Sequence, residues 1–256
     1  MAIETTDGEI ATEIAWAPIA YGEGPRVGVL GDTRCGKTEL ERRLIRAYLK
    51  RSPGAVIVVD DKEALPQFEG QCRRDVADLE KNPPDEDGPR VIVLRGDRQN
   101  RVDGEVDPET AADMQWVWSQ QGVPSLVVYD ELDKACNHGQ WRRGDKKSTI
   151  LWAFRRGGSS GAASLWGTQE TQEVPAAAFN QSSVIFSFRM QGAPLRLLKE
   201  RGYLEAPAGT VGGKARVTVE KMIPTLPGDE LPPKERGYFV ALRRGRPWDG
   251  EIYRYR

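Results

Sequence analysis

The sequence contains a motif whose spacing is suited to binding the phosphates of a nucleotide. Its residues match the pattern G-x-x-x-x-G-K-S/T: Gly31, Asp32, Thr33, Arg34, Cys35, Gly36, Lys37 and Thr38. Glycines let the backbone curl so that its N–H groups face an anion. Lys37 can reach the β- and γ-phosphates, and the Thr38 hydroxyl can bind Mg²⁺. The pattern predicts a nucleotide site with Mg²⁺, in which Cys35 is a spacer or, alternatively, a redox switch.

Two adjacent acids follow the apolar segment Ser125–Tyr129 and are suited to hydrolysis. Mg²⁺ prefers oxygen ligands, so Asp130 can hold the metal directly or through water. Glu131 can polarise the attacking water. The alternative is a pair of solvated acids at the end of a strand. Together with the phosphate loop (residues 31–38), they favour water as the nucleophile. The sequence has neither an evident acceptor site for a kinase nor the N-K-x-D pattern of GTPases.

A strand-end amide and two arginines complete the candidate catalytic residues. Gln169 follows the predicted strand Ala162–Thr168, where an amide can report the loss of the γ-phosphate, although most strand-end glutamines are only solvated. Arg155 and Arg156 lie at a predicted helix end beside the stretch "GGSSG". A guanidinium at a subunit edge can stabilise the transition state in a neighbouring subunit. The alternative is a favourable positive charge at a helix C-terminus.

The elements that position these residues follow from hydrophobic patterning. Short apolar segments predict six strands, over Arg26–Leu30, Ala55–Asp60, Val91–Leu94, Ser125–Tyr129, Ala162–Thr168 and Ser183–Met190. Helical spacing and capping predict helices over Lys37–Lys50, 107–122, 146–156 and Ala193–Arg201. Because strands and helices alternate, we expect an α/β fold with a mostly parallel sheet flanked by helices.

The end of the chain has a different pattern. The segments "ARVTVEKM", "GYFVALRR" and "EIYRYR" alternate in polarity and predict strands or hairpins. We therefore expect an N-terminal segment over residues 1–25 and a nucleotide-binding core over residues 26–204. A β-rich C-terminal extension over residues 205–256 packs on the core, or alternatively forms a small separate subdomain.

Composition limits the classes of partner and site. The 256 residues are 39% hydrophobic and 29% charged, which is typical of a folded globular protein. The net charge of −1 excludes a global basic field, so any DNA contact must be local. A single histidine argues against a Ser-His-Asp triad, and three cysteines without metal-ligand spacing favour a reducing compartment. The N-terminus lacks a signal-peptide pattern, and no apolar run approaches the ~20 residues that span a bilayer.

The order of the motifs resembles that of the FtsK–HerA superfamily of DNA-pumping ATPases, over roughly residues 26–190. The motifs are "GDTRCGKT", "VIVVDDK", "SLVVYDE", "FRRGGSSGAASLWGTQETQEVP" and "NQSSVIFSFRM". They include the pair Asp61-Lys62, an arginine-rich helix end and a strand that ends in Thr-Gln. The sequence departs from the chromosomal pumps where "ETQEVP" stands in place of Arg-Pro, and it has no evident membrane anchor or winged-helix tail.

This resemblance implies a RecA-like P-loop NTPase core of the ASCE type that binds ATP and Mg²⁺ and assembles into a ring, a pentamer or a hexamer. It makes Lys37 and Thr38 ligands of phosphate and metal. It also implies that Asp130 is the metal-site acid, Glu131 the catalytic acid and Gln169 the sensor. Arg155 or Arg156 would then be a finger that acts on a neighbouring subunit.

A chain of this size further resembles the genome-packaging ATPases of tailless viruses with an internal membrane. That resemblance implies double-stranded DNA and a capsid vertex or portal as partners, and a location in the host cytoplasm or the virion. A basic segment just after the two acids is the candidate DNA contact, with Lys134, Arg142, Arg143, Lys146 and Lys147 as its residues. The alternative is an ordinary solvated loop.

Three other functions remain compatible with these motifs. An ATPase of conjugation or secretion machinery would share the core and differ in its partner. A nucleotide-dependent switch would use turnover to gate a protein interaction, against which the tandem acids and Gln169 count. A small-molecule kinase would consume ATP only with its acceptor.

Overall fold

A single sheet organises the residues described in the computed structural model, which are 6–59, 76–85, 87–94, 108–136, 148–204, 219–228, 230, 232, 236–244, 246 and 251–255. Within these ranges the sheet has nine strands. They are β1 (Thr6–Asp7), β2 (Arg26–Leu30), β3 (Ala55–Val59), β4 (Val91–Leu94), β5 (Ser125–Tyr129), β6 (Ala162–Thr168), β7 (Val184–Ser187), β8 (Tyr238–Leu242) and β9 (Tyr253–Arg254).

The strand order is β1-β9-β8-β7-β2-β6-β5-β3-β4. The six strands from β7 to β4 in this order are parallel to one another. β8 runs antiparallel to both β7 and β9, and β1 pairs in parallel with β9. The predicted α/β fold, a mostly parallel sheet with a β-rich C-terminal elaboration, is confirmed.

Helices connect the parallel strands, as their crossovers require. Those in the described ranges are α1 (Gly8–Trp16), α2 (Lys37–Arg51), α3 (Val76–Lys81), α4 (Pro108–Gln120), α5 (Leu132–Ala135), α6 (Thr149–Arg155), α7 (Ala176–Gln181), α8 (Ala193–Glu200) and α9 (Val219–Met222). None of these helices is both long enough and apolar enough to cross a lipid bilayer.

Two apolar clusters cover the two faces of the sheet. On one face α1 and α2 pack against the strands, and the fully buried Leu40, Leu44 and Ile45 belong to α2. On the other face α4 and α6 contribute the fully buried Trp118 and Phe154. Burial of each such side chain stabilises the fold by about 1.5–3 kcal/mol. The start of α2, which follows the phosphate loop, is therefore fixed by the core beneath it.

The N-terminal residues pack on this same face. The Trp16 indole donates a hydrogen bond to the Leu44 carbonyl at 2.9 Å, and its ring meets that of Tyr48 edge to face. Arg43 of α2 forms an ion pair with Glu9 and lies over the Tyr255 ring, 4.2 Å from its centroid. Residues near both ends of the described chain thus meet on α2, while the division into three parts remains a prediction.

One predicted strand is wrong in the part that the structure describes. Val219–Met222, the second half of "ARVTVEKM", is helical. The alternation of Val217 and Val219 favoured a strand, but Glu220, Lys221 and Met222 are good helix formers. Glu220 also forms an exposed ion pair with Lys199 of α8 at 3.1 Å.

Candidate functional site

The phosphate loop connects β2 to α2 with the geometry that its glycines permit. Gly31 has a φ of 151° and Gly36 a φ of 111°, and a Cβ at Gly31 would lie 2.6 Å from the Cβ of Phe188. No side chain caps the start of α2, so its first N–H groups are available to an anion. Lys37 Nζ donates to the carbonyls of Gly31 and Asp32 at 2.8 Å each. The ammonium therefore lies over the loop, where a phosphate would meet it.

The strand order brings three strand ends into one cleft of about 430 Å³. β6 lies between β2 and β5, with Leu30 opposite Thr168 and Tyr129 opposite Trp166. The residues that line the cleft are Thr33, Arg34, Gly36, Lys37, Thr38, Glu39, Asp130, Glu131, Thr168, Gln169 and Arg236. The structure thus brings together five of the eight predicted phosphate-binding residues, the two acids and the amide.

Gln169 connects the phosphate loop to the second acid. The Thr33 hydroxyl donates to Gln169 Oε1 at 2.6 Å, and Gln169 Nε2 donates to Glu131 Oε1 at 3.3 Å. Because Gln169 lies between the two, a change at the loop can reach Glu131 through one side chain. The side chain of Gln169 therefore contacts both the loop and the acid, while its role as a sensor stays a prediction.

Glu131 also forms an ion pair. Its Oε2 lies 2.6 Å from Lys134 Nζ, and the Glu131 side chain is only 12% exposed whereas that of Lys134 is 55% exposed. Lys134 is the one predicted DNA contact within the described ranges. A phosphate that binds this ammonium would compete with Glu131 for it.

The oxygen atoms in the cleft fit a magnesium ion. Thr38 supplies a hydroxyl and Asp130 a carboxylate, and both line the cleft beside Lys37. Hard oxygen donors next to phosphates are the ligands that Mg²⁺ prefers, and it keeps several waters besides them. Thr38 and Asp130 would therefore hold the ion.

Thr168 and Asp133 support the strand end that carries Gln169. Thr168 is fully buried, its hydroxyl donates to Asp133 Oδ1 at 2.6 Å, and it accepts the Glu170 N–H at 3.0 Å. This hydrogen bond joins the end of β6 to α5. The sequence analysis missed Asp133, because its partner is 35 residues away.

A buried acid, Glu41, lies beneath the metal-site acid and was also missed. Its side chain is fully buried beside the carboxyl of Asp130. Its Oε1 occupies the space that a side chain at position 167 would need, so Gly167 leaves room for Glu41. No N–H or O–H donor in the described part of the chain reaches either of its oxygens. Burial raises the pKa of Glu41 well above its usual value, and the charge of Asp130 adds to the effect. A neutral Glu41 can donate a hydrogen bond to Asp130.

The two arginines lie far from the cleft of their own chain. Arg155 and Arg156 are exposed and precede β6, whose far end carries Gln169. The neighbouring Gly158 carbonyl accepts the Gly24 N–H at 2.8 Å, next to the start of β2. The seven residues of β6 span roughly 20 Å. A catalytic role for either arginine therefore requires the cleft of another subunit.

Several predicted residues lie outside the described ranges. They are the candidate DNA contacts Arg142, Arg143, Lys146 and Lys147, and the pair Asp61-Lys62.

Cys35 packs within the phosphate loop. Its Sγ donates to the Asp32 carbonyl at 2.9 Å, and burial raises the pKa of the thiol. A protonated, buried thiol is a poor nucleophile, which favours the spacer over the redox switch.

The fold is similar to that of the genome packaging NTPase B204 from Sulfolobus turreted icosahedral virus 2. The complex of B204 with AMPPCP gives a TM-score of 0.60 at 15% identity, over 91% of this chain and 97% of that one. The complex with ATP-gammaS gives 0.59 at 14% identity, with the same coverage of each chain.

The cytoplasmic domain of the Type VII secretion ATPase EccC from Thermomonospora curvata has a similar fold as well. The TM-score is 0.52 at 17% identity, over 91% of this chain and 25% of that one. No protein-family model and no curated protein matches the sequence. The similarity of this chain to both proteins agrees with the fold that the FtsK–HerA resemblance implies.

Proposed function

We propose that this protein is an ATPase of the FtsK–HerA type that translocates double-stranded DNA, and that its role is to pump a viral genome into a preformed capsid. The observation that carries the proposal is the chain of contacts from Thr33 through Gln169 to Glu131 in one cleft. In this proposal the side chains that take part in hydrolysis also detect the loss of the γ-phosphate. The similarity of fold to a packaging NTPase supports the choice of substrate.

In this proposal each side chain of the cleft has a separate task. Lys37 and the N–H groups at the start of α2 bind the β- and γ-phosphates. Thr38 and Asp130 would hold Mg²⁺, which would supply positive charge beside the phosphates when bound. Glu131 polarises the attacking water. Departure of the γ-phosphate removes the anion beside Thr33, and the hydrogen bonds of Gln169 transmit that change to Glu131.

The ion pair of Glu131 with Lys134 offers a route from DNA to the reaction. Lys134 begins the basic segment that continues with Arg142, Arg143, Lys146 and Lys147. When a DNA phosphate binds Lys134, it weakens the ion pair between Lys134 and Glu131, and Glu131 can turn to the water. Charge-assisted contacts of this kind weaken with salt, so coupling should be strongest at low ionic strength.

Assembly into a pentameric or hexameric ring completes the proposed motor. Arg155 or Arg156 enters the cleft of the neighbouring subunit and stabilises the charge of its transition state. The ring docks on a capsid vertex or portal, in the host cytoplasm or on the virion. A subunit without this arginine would still bind ATP, but it would fail to support hydrolysis in the cleft of the neighbouring subunit.

A secretion or conjugation ATPase is the second candidate, because the EccC domain has a similar fold. Coverage favours packaging, since the match spans 97% of B204 and 25% of the EccC chain. A protein substrate in place of duplex DNA would distinguish this candidate. A nucleotide-dependent switch would turn over ATP independently of DNA.

Steady-state ATP hydrolysis with and without duplex DNA tests the proposal. We expect duplex DNA to raise the turnover number of the wild-type protein about tenfold, which corresponds to an activation free energy lower by ~1.4 kcal/mol. The stimulation should fall as salt rises and disappear in Lys37→Ala, which loses the phosphate ligand. Equal turnover with and without DNA in an assembled ring would contradict the proposal and favour the switch.

A further inference from the structure

Two residues of the C-terminal extension lie directly against the phosphate loop. Arg236 Nη1 donates to the carbonyl of Arg34 at 3.2 Å, and a Cβ at Gly36 would lie 3.2 Å from the Cα of Gly237. Arg236 and Arg34 are 202 positions apart along the chain. The extension therefore forms part of the wall of the cleft.

The backbone at this contact leaves little room for other residues. Gly237 has a φ of 97° and Gly36 a φ of 111°, in the region that side-chain-bearing residues rarely adopt. Tyr238 then begins β8, which pairs with β7, and β7 pairs with β2 at the base of the loop. The sheet thus fixes the position of Arg236 relative to the loop through a continuous run of paired strands.

The chemistry of Arg236 fits an anion in the cleft. Its guanidinium lines the same cleft as Lys37 and Thr38, where phosphates are expected. A guanidinium has five N–H donors in a planar fork, a geometry that matches phosphate oxygens two at a time. No other arginine outside the loop lines the cleft in the described part of the chain.

We propose that Arg236 binds the phosphate chain of the nucleotide held by its own subunit, so that the C-terminal extension is part of the nucleotide site. Arg236 acts within one subunit, whereas Arg155 and Arg156 can act only between subunits. The inference rests on nucleotide binding in the proposed function, but not on DNA.

Calorimetric titration of the full chain with ATP and with inorganic pyrophosphate tests this inference. Arg236→Ala removes the guanidinium, Arg236→Gln keeps an N–H donor without the charge, and Arg236→Lys keeps the charge without the fork. The matched control is Arg244→Ala in the same extension, whose side chain donates to the Asn180 carbonyl at 3.3 Å, away from the cleft. Circular dichroism confirms that each variant is folded.

We expect Arg236→Ala and Arg236→Gln to raise the Kd for both probes about tenfold, which corresponds to ~1.4 kcal/mol. Arg236→Lys should recover part of the loss, and Arg244→Ala should match the wild type. If folded Arg236→Gln binds both probes with wild-type affinity, the inference is overturned, because the arginine then only stabilises the loop through the Arg34 carbonyl. If Arg236→Ala does not fold, the Gln and Lys variants decide. A wild-type protein that binds neither probe would overturn the proposed function as well.

Discussion

Replacing Glu131 with glutamine is expected to lower the ATP turnover number by about 10²–10⁴-fold, the usual contribution of a general base. The amide keeps the size of the side chain and can still contact Gln169, but it cannot accept a proton from water. Since Glu131 is not a phosphate ligand in this account, the Kd for ATP should stay close to that of the wild type. Phosphate release and calorimetric titration measure the two quantities separately.

The matched control for this variant is Glu170→Gln. Glu170 is an exposed acid one residue after Gln169, and only its backbone N–H contacts the site, through the Thr168 hydroxyl. Its substitution should leave turnover unchanged. Turnover near the wild-type value in Glu131→Gln would mean that another group activates the water, and Asp133, which lies two residues further along the chain, would be the next to examine.

Replacing Glu41 with glutamine is expected to raise the free energy of unfolding at pH 7.5 by about 1–3 kcal/mol, the usual scale of the penalty for burying a polar group without a full set of partners. Burial raises the pKa of Glu41 in the folded protein, while the unfolded chain has the ordinary value. The folded state therefore holds a proton that the unfolded chain releases, and wild-type stability falls as pH rises above the unfolded pKa. Glutamine copies the protonated form and avoids that cost.

Urea unfolding at several pH values, with EDTA and without nucleotide, checks this prediction. The difference between Glu41→Gln and the wild type should be largest near neutral pH and shrink as pH falls toward the unfolded pKa of about 4.3. Glu200→Gln, an exposed acid on α8, should change stability by less than about 0.5 kcal/mol. A Glu41→Gln variant that is less stable than the wild type at pH 7.5 would show that Glu41 is a paired carboxylate.

Local sequence patterns predicted most of the elements around the cleft. The strand boundaries of β2, β4, β5 and β6 are as predicted, because each is a short apolar segment with polar residues or glycine at its ends. The phosphate loop and the two acids were identified because their chemistry depends on residues adjacent in sequence. What local patterns do not contain is the order of the strands.

The missed residues depend on that order or on an exception within a pattern. β6 lies between β2 and β5, which is what sets Gln169 between Thr33 and Glu131. Arg236 reaches the loop only because β8 pairs with β7 across a separation that no local motif encodes. Glu41 had a signal, because it lies on the same helical stripe as Ile45 and Tyr48, and an acid on an apolar face indicates a buried ionisable side chain.

Displacement of a triplex-forming oligonucleotide from linear duplex DNA tests the central claim most directly, because a third strand is removed only by a protein that moves along the duplex. We expect the wild-type protein to displace the oligonucleotide with ATP and Mg²⁺, and to fail with a non-hydrolysable analogue or as Glu131→Gln. A wild-type protein that hydrolyses ATP faster in the presence of the duplex, yet leaves the third strand in place, would contradict translocation.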